Sequence, residues 1–243
     1  MRLLDAVTGQ FVEVTDSGAV EYAIFSHTWD PKGEQSYQEL RRIQDAYRPE
    51  SEKVRRACAV ARAHGHRLLW LDMCCIDRTS SAELSEAVNS MFRWYRDASV
   101  CYVFLSDEGT EDPRDANSAF RHSRWFRRGW TLQELIAPRV VVFLSLDWRF
   151  LGTKASLAKV IKAVTGIDRR ILLHRMRLDE VSVAKRMSWA AERKTTRVED
   201  EAYSLLGIFD VNMPILYGEG QRAFVRLQEE IVKHIPDQSL FTW

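Results

Sequence analysis

The sequence predicts an α/β fold, a parallel sheet flanked by helices, with a helical extension at the carboxyl end. Three observations predict it. Four short apolar runs, at Tyr22–Ser26, Leu68–Asp77, Val100–Asp107 and Val140–Ser145, read as buried strands. Segments of helical periodicity alternate with them, which implies right-handed crossovers and helices on both faces. Each run turns polar at its carboxyl end, at Ser26-His27, at Asp72 and Asp77, at Ser106-Asp107, and at Ser145 and Asp147. Open parallel sheets bind ligands beyond that edge.

Taken in order, RLLDAVTGQFVEV reads as a hairpin turning at Thr8-Gly9. The first long strand stops at the polar cluster His27-Thr28-Trp29-Asp30, and PKGEQS follows as a loop. Ser36–His64 carries helical spacing, with Pro49 marking a break. In its second half Ser51 is the cap, Gly65 the stop, and Val54, Ala57, Cys58 and Ala61 share one face. After the second strand, Ser80 and Glu83 form a capping-box pattern for a helix that runs to about Asp97. Its buried face is Leu84, Val88, Met91, Phe92 and Tyr95.

Beyond Gly152 the pattern becomes mostly helical. Helices are expected at Lys154–Val164, at Ser182–Lys194, along VEDEAYSLLGIF, and along QRAFVRLQEEIVKHI. Glu199, Asp200 and Glu201 read as a solvated helix face. Tyr217-Gly218-Glu219-Gly220 lacks the spacing of a phosphate-binding glycine loop and reads as a turn. The expected organisation is an α/β core over 1–150, completed by a helical extension over 151–243 rather than by an independent domain.

With 243 residues, 46% of them apolar and 28% charged, the chain can bury a substantial core. A net charge of +1 without a long basic block argues against nucleic-acid binding. No apolar run approaches the ~20 residues of a membrane span. Cys58, Cys74, Cys75 and Cys101 have neither zinc-site nor disulfide-frame spacing and read as reduced, buried thiols of a cytoplasmic protein. Asp72 and Asp77 around Cys74-Cys75 mix hard and soft ligands without a tetrahedral set, so no metal is expected.

The most informative stretch is SRWFRRGWTLQELIAP, Ser123–Pro138. Trp130, Leu132, Leu135 and Ile136 suit one face of a short helix that Gly129 precedes and Pro138 ends. Glu134 lies beside that face, among Arg124, Arg127, Arg128, Trp125 and Trp130. A carboxylate flanked by cations and indoles next to a sheet suits a cationic, ring-bearing ligand. The plainer alternative pairs Glu134 with Arg127 or Arg128 and puts the indoles in the core.

Several stretches resemble the heterokaryon-incompatibility (HET) domain of filamentous fungi. They are YAIFSHTW, LLWLDMCCID with SSAELSEAVNSMFRWY, SRWFRRGWTLQELIAP, and RMSWAAERKTTRVEDEAYSLLGIFDVNMPILYGEG. The resemblance spans nearly the whole chain. It implies a role in nonself recognition and regulated cell death, within a longer polypeptide carrying further domains. The α/β half also resembles Toll/interleukin-1 receptor (TIR) domains, which implies a flavodoxin/TIR-like sheet. YAIFSH and LLWLD are placed like TIR first- and second-strand motifs, and WTLQEL is similar to their W-C-x-x-E-L motif, with Thr131 in place of Cys.

Some TIR domains cleave NAD at the nicotinamide–ribose bond, and the resemblance makes Glu134 the catalytic candidate. NAD would then be a substrate, and no cofactor is expected. Trp29 or Trp130 would give the nicotinamide a stacking face, and Arg127 or Arg128 would meet the diphosphate. Ser26 and His27 would line the ribose pocket, near Asp72 at the end of the second strand. Self-association is the expected trigger. The alternative is a noncatalytic assembly module that recruits a downstream executioner.

Overall fold

A computed structural model of the chain describes residues 1–46, 51–107, 109 and 111–239. The break expected at Pro49 lies outside the described residues. Seven strands form one sheet: β1 (Arg2–Asp5), β2 (Phe11–Glu13), β3 (Ala23–His27), β4 (Leu68–Leu71), β5 (Val100–Phe104), β6 (Val141–Leu144) and β7 (Phe150–Thr153). Their order is β2-β1-β4-β3-β5-β6-β7. The four strands read from the sequence, β4-β3-β5-β6, are the parallel centre.

Both margins are antiparallel. The hairpin turning at Gly9 adds β2 and β1 to one side through the pairing of β1 with β4. On the other side β7 pairs with β6. β7 was not read from the sequence. It holds Gly152 in an extended, positive-φ conformation and leaves Phe150 exposed, so it lacks the apolar signal of the central strands.

The helices are α1 (Tyr37–Ala46), α2 (Glu52–Ala63), α3 (Ser81–Asp97), α4 (Ala119–His122), α5 (Thr131–Ile136), α6 (Ala158–Thr165), α7 (Arg169–Leu172), α8 (Val183–Ser188), α9 (Asp200–Tyr203), α10 (Leu206–Phe209) and α11 (Arg222–His234). Ser51 caps α2 by accepting from the Val54 amide, and Gly65 (φ 83°) turns the chain out of it. Ser80 caps α3 through the Glu83 amide. The other half of the expected box is redirected, because Glu83 accepts from the Asp77 amide and pairs with Arg2. α3 seals one face of the sheet, with Trp94 and Tyr95 edge-on to Trp70 at 5.7 and 5.9 Å.

The carboxyl-terminal helices are shorter than the sequence suggests. A turn over Thr153–Ser156 delays α6 to Ala158, and the Lys154 side chain goes into the core. α8 stops at Ser188, and Lys194 then bridges to Arg128 beside α5. The VEDEAYSLLGIF stretch splits into α9 and α10. Gly207 lets α10 close on α3, since a Cβ there would stand 2.0 Å from the Phe92 Cβ.

The chain runs from β3 out to β4 on one side and then returns past β3 to β5 on the other. The switch point therefore lies between β3 and β5, where His27 is in register with Phe104. Among the described residues no helix is long and apolar enough to cross a membrane.

Candidate functional site

Glu134 sits on α5, a two-turn helix buried on all sides between the sheet and α3. Gly129 lets the chain enter that helix at close quarters: a Cβ there would meet the Thr195 methyl at 2.5 Å. At the other end, the buried Lys154 ammonium donates to the Leu135 and Pro138 carbonyls, and the His174 ring lies 2.9 Å from the Pro138 carbonyl. A lysine at a helix carboxyl terminus supplies donors to carbonyls that have no intrahelical partner. Burial pushes Lys154 down to about 7.

The Glu134 side chain is 7% exposed and opens into a cavity of about 310 Å³. Among the described residues it makes no ion pair, so the expected alternative of a bridge to Arg127 or Arg128 is not formed. It accepts a short hydrogen bond from the Ser26 hydroxyl, which in turn accepts from the Trp125 indole N–H at 2.8 Å. Burial raises the Glu134 carboxyl to about 8, and the nearby Asp72 charge adds to this against the hydrogen bonds from Ser26 and Tyr95. The carboxyl is therefore mostly protonated at neutral pH.

The structure gathers most of the sequence-predicted residues here. His27, Trp29, Asp72, Arg128, Trp130 and Glu134 all line the cavity. Ser26 is fully buried behind Glu134 and acts on it rather than on the cavity. Arg127 is placed elsewhere: it faces outward and pairs with Glu192 at 2.6 Å. Neighbouring arginines at the end of a 3₁₀ turn point different ways, and only Arg128 turns inward. The two indoles also separate. Trp125 is core, packed edge-on to Phe126 and Phe143, whereas Trp130 lines the cavity.

His27 is 6% exposed, and among the described residues neither ring nitrogen has a partner in hydrogen-bonding geometry. Glu34 stands 3.4 Å from Nε2 and Asp72 3.9 Å from Nδ1. Burial alone would raise Glu34, but His27, the Lys53 ammonium and the Asp30 amide hold it at about 2. Asp72 also accepts from the Trp29 indole N–H at 2.8 Å and pairs with Arg78, whose guanidinium covers the Trp29 ring at 4.4 Å.

The remaining wall comes from the carboxyl-terminal half, through Thr196, Arg197, Asp200 and Tyr217. This corrects the solvated-face reading of 199–201, which holds only for the exposed Glu201. Glu199 accepts from the Gly218 and Gly220 amides and so shapes the turn that carries Tyr217. Asp200 accepts from the Tyr217 hydroxyl at 2.9 Å, and burial raises its carboxyl against hydrogen bonds from Tyr217 and Trp130. Arg197 lies over the Tyr217 ring at 4.2 Å. Among the described residues neither Arg128 nor Arg197 has a carboxylate at ion-pair distance. Arg78, Arg197 and Asp200 were missed because a charge in a polar stretch gives no sign of facing inward. The one signal for Arg197 and Asp200 was membership of a motif quoted for the family resemblance; Arg78 lies between two such motifs and had none.

Chemically, the cavity offers three carboxyl groups, of Glu134, Asp72 and Asp200, the indoles of Trp29 and Trp130, and three guanidinium groups. It suits a ligand with a flat ring, hydroxyls and a negative portion. Among the described residues no three His, Cys, Asp or Glu side chains are grouped to hold a metal ion.

No solved structure matches the chain. The profile of a family described as heterokaryon incompatibility protein (HET) matches residues 22–117, and that of a domain of unknown function matches residues 222–243. The chain is 48% identical over 245 residues to the vegetative incompatibility protein HET-E-1 of Podospora anserina. That alignment covers 96% of this chain but only 18% of the relative's length. The profile covers the first two of the motif stretches, and the relative aligns over nearly the whole chain: the chain carries a heterokaryon incompatibility (HET) domain.

Proposed function

We propose that this chain is the cell-death effector domain of a vegetative-incompatibility protein, acting in the cytoplasm, and that its cavity binds and hydrolyses NAD. The observation that carries the reading is Glu134, a buried carboxyl free of ion pairs, facing a cavity with Trp130 on its wall and arginines at its rim. The 48% identity to a vegetative incompatibility protein supports the incompatibility role.

In this reading Trp130 takes the nicotinamide face, and Arg128 and Arg197 meet the phosphate on the nicotinamide-ribose side of the diphosphate. The positive ring lowers the Glu134 carboxyl as it enters, so loading the site ionises the residue that must act. The C1′–N bond breaks with its electron pair passing to the nicotinamide nitrogen, which leaves neutral. The Glu134 carboxylate stabilises the oxocarbenium-like ribose. Water then adds at C1′ and gives up a proton, leaving ADP-ribose. Self-association switches the domain on, within a longer polypeptide. The test is product analysis after NAD is incubated with clustered protein: nicotinamide release that Glu134→Gln abolishes supports the reading, and inert, folded, clustered wild type overturns it.

One observation favours a noncatalytic assembly module. Val225 and Val232 are 52% and 50% exposed, seven residues apart on one face of α11. An apolar stripe of that spacing suits helix-to-helix contact. Under this reading killing survives Glu134→Gln and is lost in Val225→Lys with Val232→Lys.

A further inference from the structure

The cavity at Glu134 is at the small end of the ~300–1,000 Å³ range of ligand sites, and a dinucleotide has two nucleoside halves. A second cavity, of about 540 Å³, adjoins it, and Trp29 lines both. This second cavity lies at the switch point, over the ends of β3 and β5. Thr28 from one strand end and Ser106 from the other face each other across it, with their hydroxyls 3.3 Å apart. It is the place where a doubly wound sheet leaves a crevice for a ligand.

Its chemistry is that of a nucleotide site. The aromatic wall is Trp148, stacked on Phe104 at 4.5 Å and 27°. Trp148 holds a left-handed backbone (φ 61°), a conformation that costs a bulky residue energy and that the Ser145–Arg149 turn enforces. Leu146, 53% exposed, extends the apolar side. Lys53, Arg56 and Arg124 supply cations, set against the carboxylates of Asp30, Glu52 and Asp147 on the same wall. Lys53 is committed to the buried Glu34, but among the described residues the ion pairs of Arg56 and Arg124, with Glu52 and Asp107, are exposed. Such pairs are weak enough for a phosphate to displace.

We propose that this switch-point cavity is a purine-nucleotide site, and that it holds the adenosine phosphate half of the dinucleotide while the Glu134 cavity holds the nicotinamide ribose. The assignment to a half of one substrate rests on the NAD reading. The base stacks on Trp148, the phosphate meets Arg124 and Arg56, and Trp29 stands between the two halves.

The test is calorimetric titration of AMP into wild type, Trp148→Ala, Arg124→Glu and Arg128→Ala, alongside NAD consumption by the clustered wild type. Arg124 is exposed, so its variant stays informative if Trp148→Ala is poorly folded. AMP should bind wild type, lose at least tenfold in affinity in Arg124→Glu and in any folded Trp148→Ala, and stay within twofold in Arg128→Ala. Failure of AMP to bind at millimolar concentration overturns the proposal, as does an affinity that follows Arg128 rather than Arg124. If AMP behaves as expected while NAD is left intact, the purine site stands and the glycohydrolase reading falls. If NAD is cleaved while AMP follows Arg128, the reverse holds.

Discussion

Ser26 at the end of β3 and Glu134 on α5 are 108 residues apart in sequence, and the Ser26 hydroxyl donates to the Glu134 carboxyl. The same hydroxyl oxygen accepts the Trp125 indole N–H. One small side chain thus ties the first parallel strand, the 3₁₀ turn and the glutamate helix together. Ser26→Ala leaves a buried N–H and a buried carboxyl oxygen short of a partner, a loss of about 1–3 kcal/mol. Denaturant unfolding of the variant should show a lower midpoint with an unchanged slope.

Glu134 should make the fold less stable as pH rises. Its folded pKa, about 8, is above the ordinary 4.5, so between those values the folded state holds a proton that the unfolded state has released. Stability contributed by this group is complete below about 4.5 and is lost as pH rises towards 8. Glu134→Gln lacks that dependence. Thermal melts from pH 5 to pH 8.5 should show the variant gaining on wild type, by on the order of a few kcal/mol at the alkaline end.

If the proposed NAD hydrolysis takes place at this site, the acidity of Glu134 also sets its pH profile. The ratio kcat/KM reports ionisation of the free enzyme, so it should rise about tenfold per pH unit below 8 and level off above. The Ser26 hydrogen bond favours the charged form, and Ser26→Ala should move that limb to higher pH. A flat profile from pH 6 to pH 9 would exclude Glu134 as the ionising group.

The course of these inferences shows what a sequence can carry. The four central strands were legible because continuous apolar runs buried on both faces leave little else to be. Glu134, Trp130, Arg128, His27, Trp29 and Asp72 were legible because short motifs at strand ends and one helix place them. Asp200 was not, because an acidic triplet looks the same whether it faces water or a cavity. Lys154 was read as the first residue of a helix, and only the tertiary fold shows it buried against the end of α5. β7 was hidden by an exposed phenylalanine and a glycine, the marks of an edge strand.

Lys154 should give the opposite pH trend to Glu134. Its folded pKa of about 7 lies below the ordinary 10.5, so between them the unfolded state binds the proton and stability rises with pH. In Lys154→Met the slope of unfolding free energy between pH 7.5 and 10 should be lower than in wild type. Chemical denaturation at four pH values measures it.

Gly207 offers a test of how closely the two halves depend on each other. A methyl group there would stand 2.0 Å from the Phe92 Cβ on α3, so α10 or α3 must shift. Gly207→Ala should cost about 1–3 kcal/mol or more. Its unfolding should remain a single transition when tryptophan fluorescence and far-ultraviolet circular dichroism are compared.

The wall of the Glu134 cavity is shared, with Asp72 and Trp130 from one half of the chain and Arg197, Asp200 and Tyr217 from the other. A break in the gene near codon 150 would strip away that second wall. Solvent would then reach the cavity from that side, burial would raise the Glu134 carboxyl less, and the strand-bearing piece would keep the motif with only part of its surroundings.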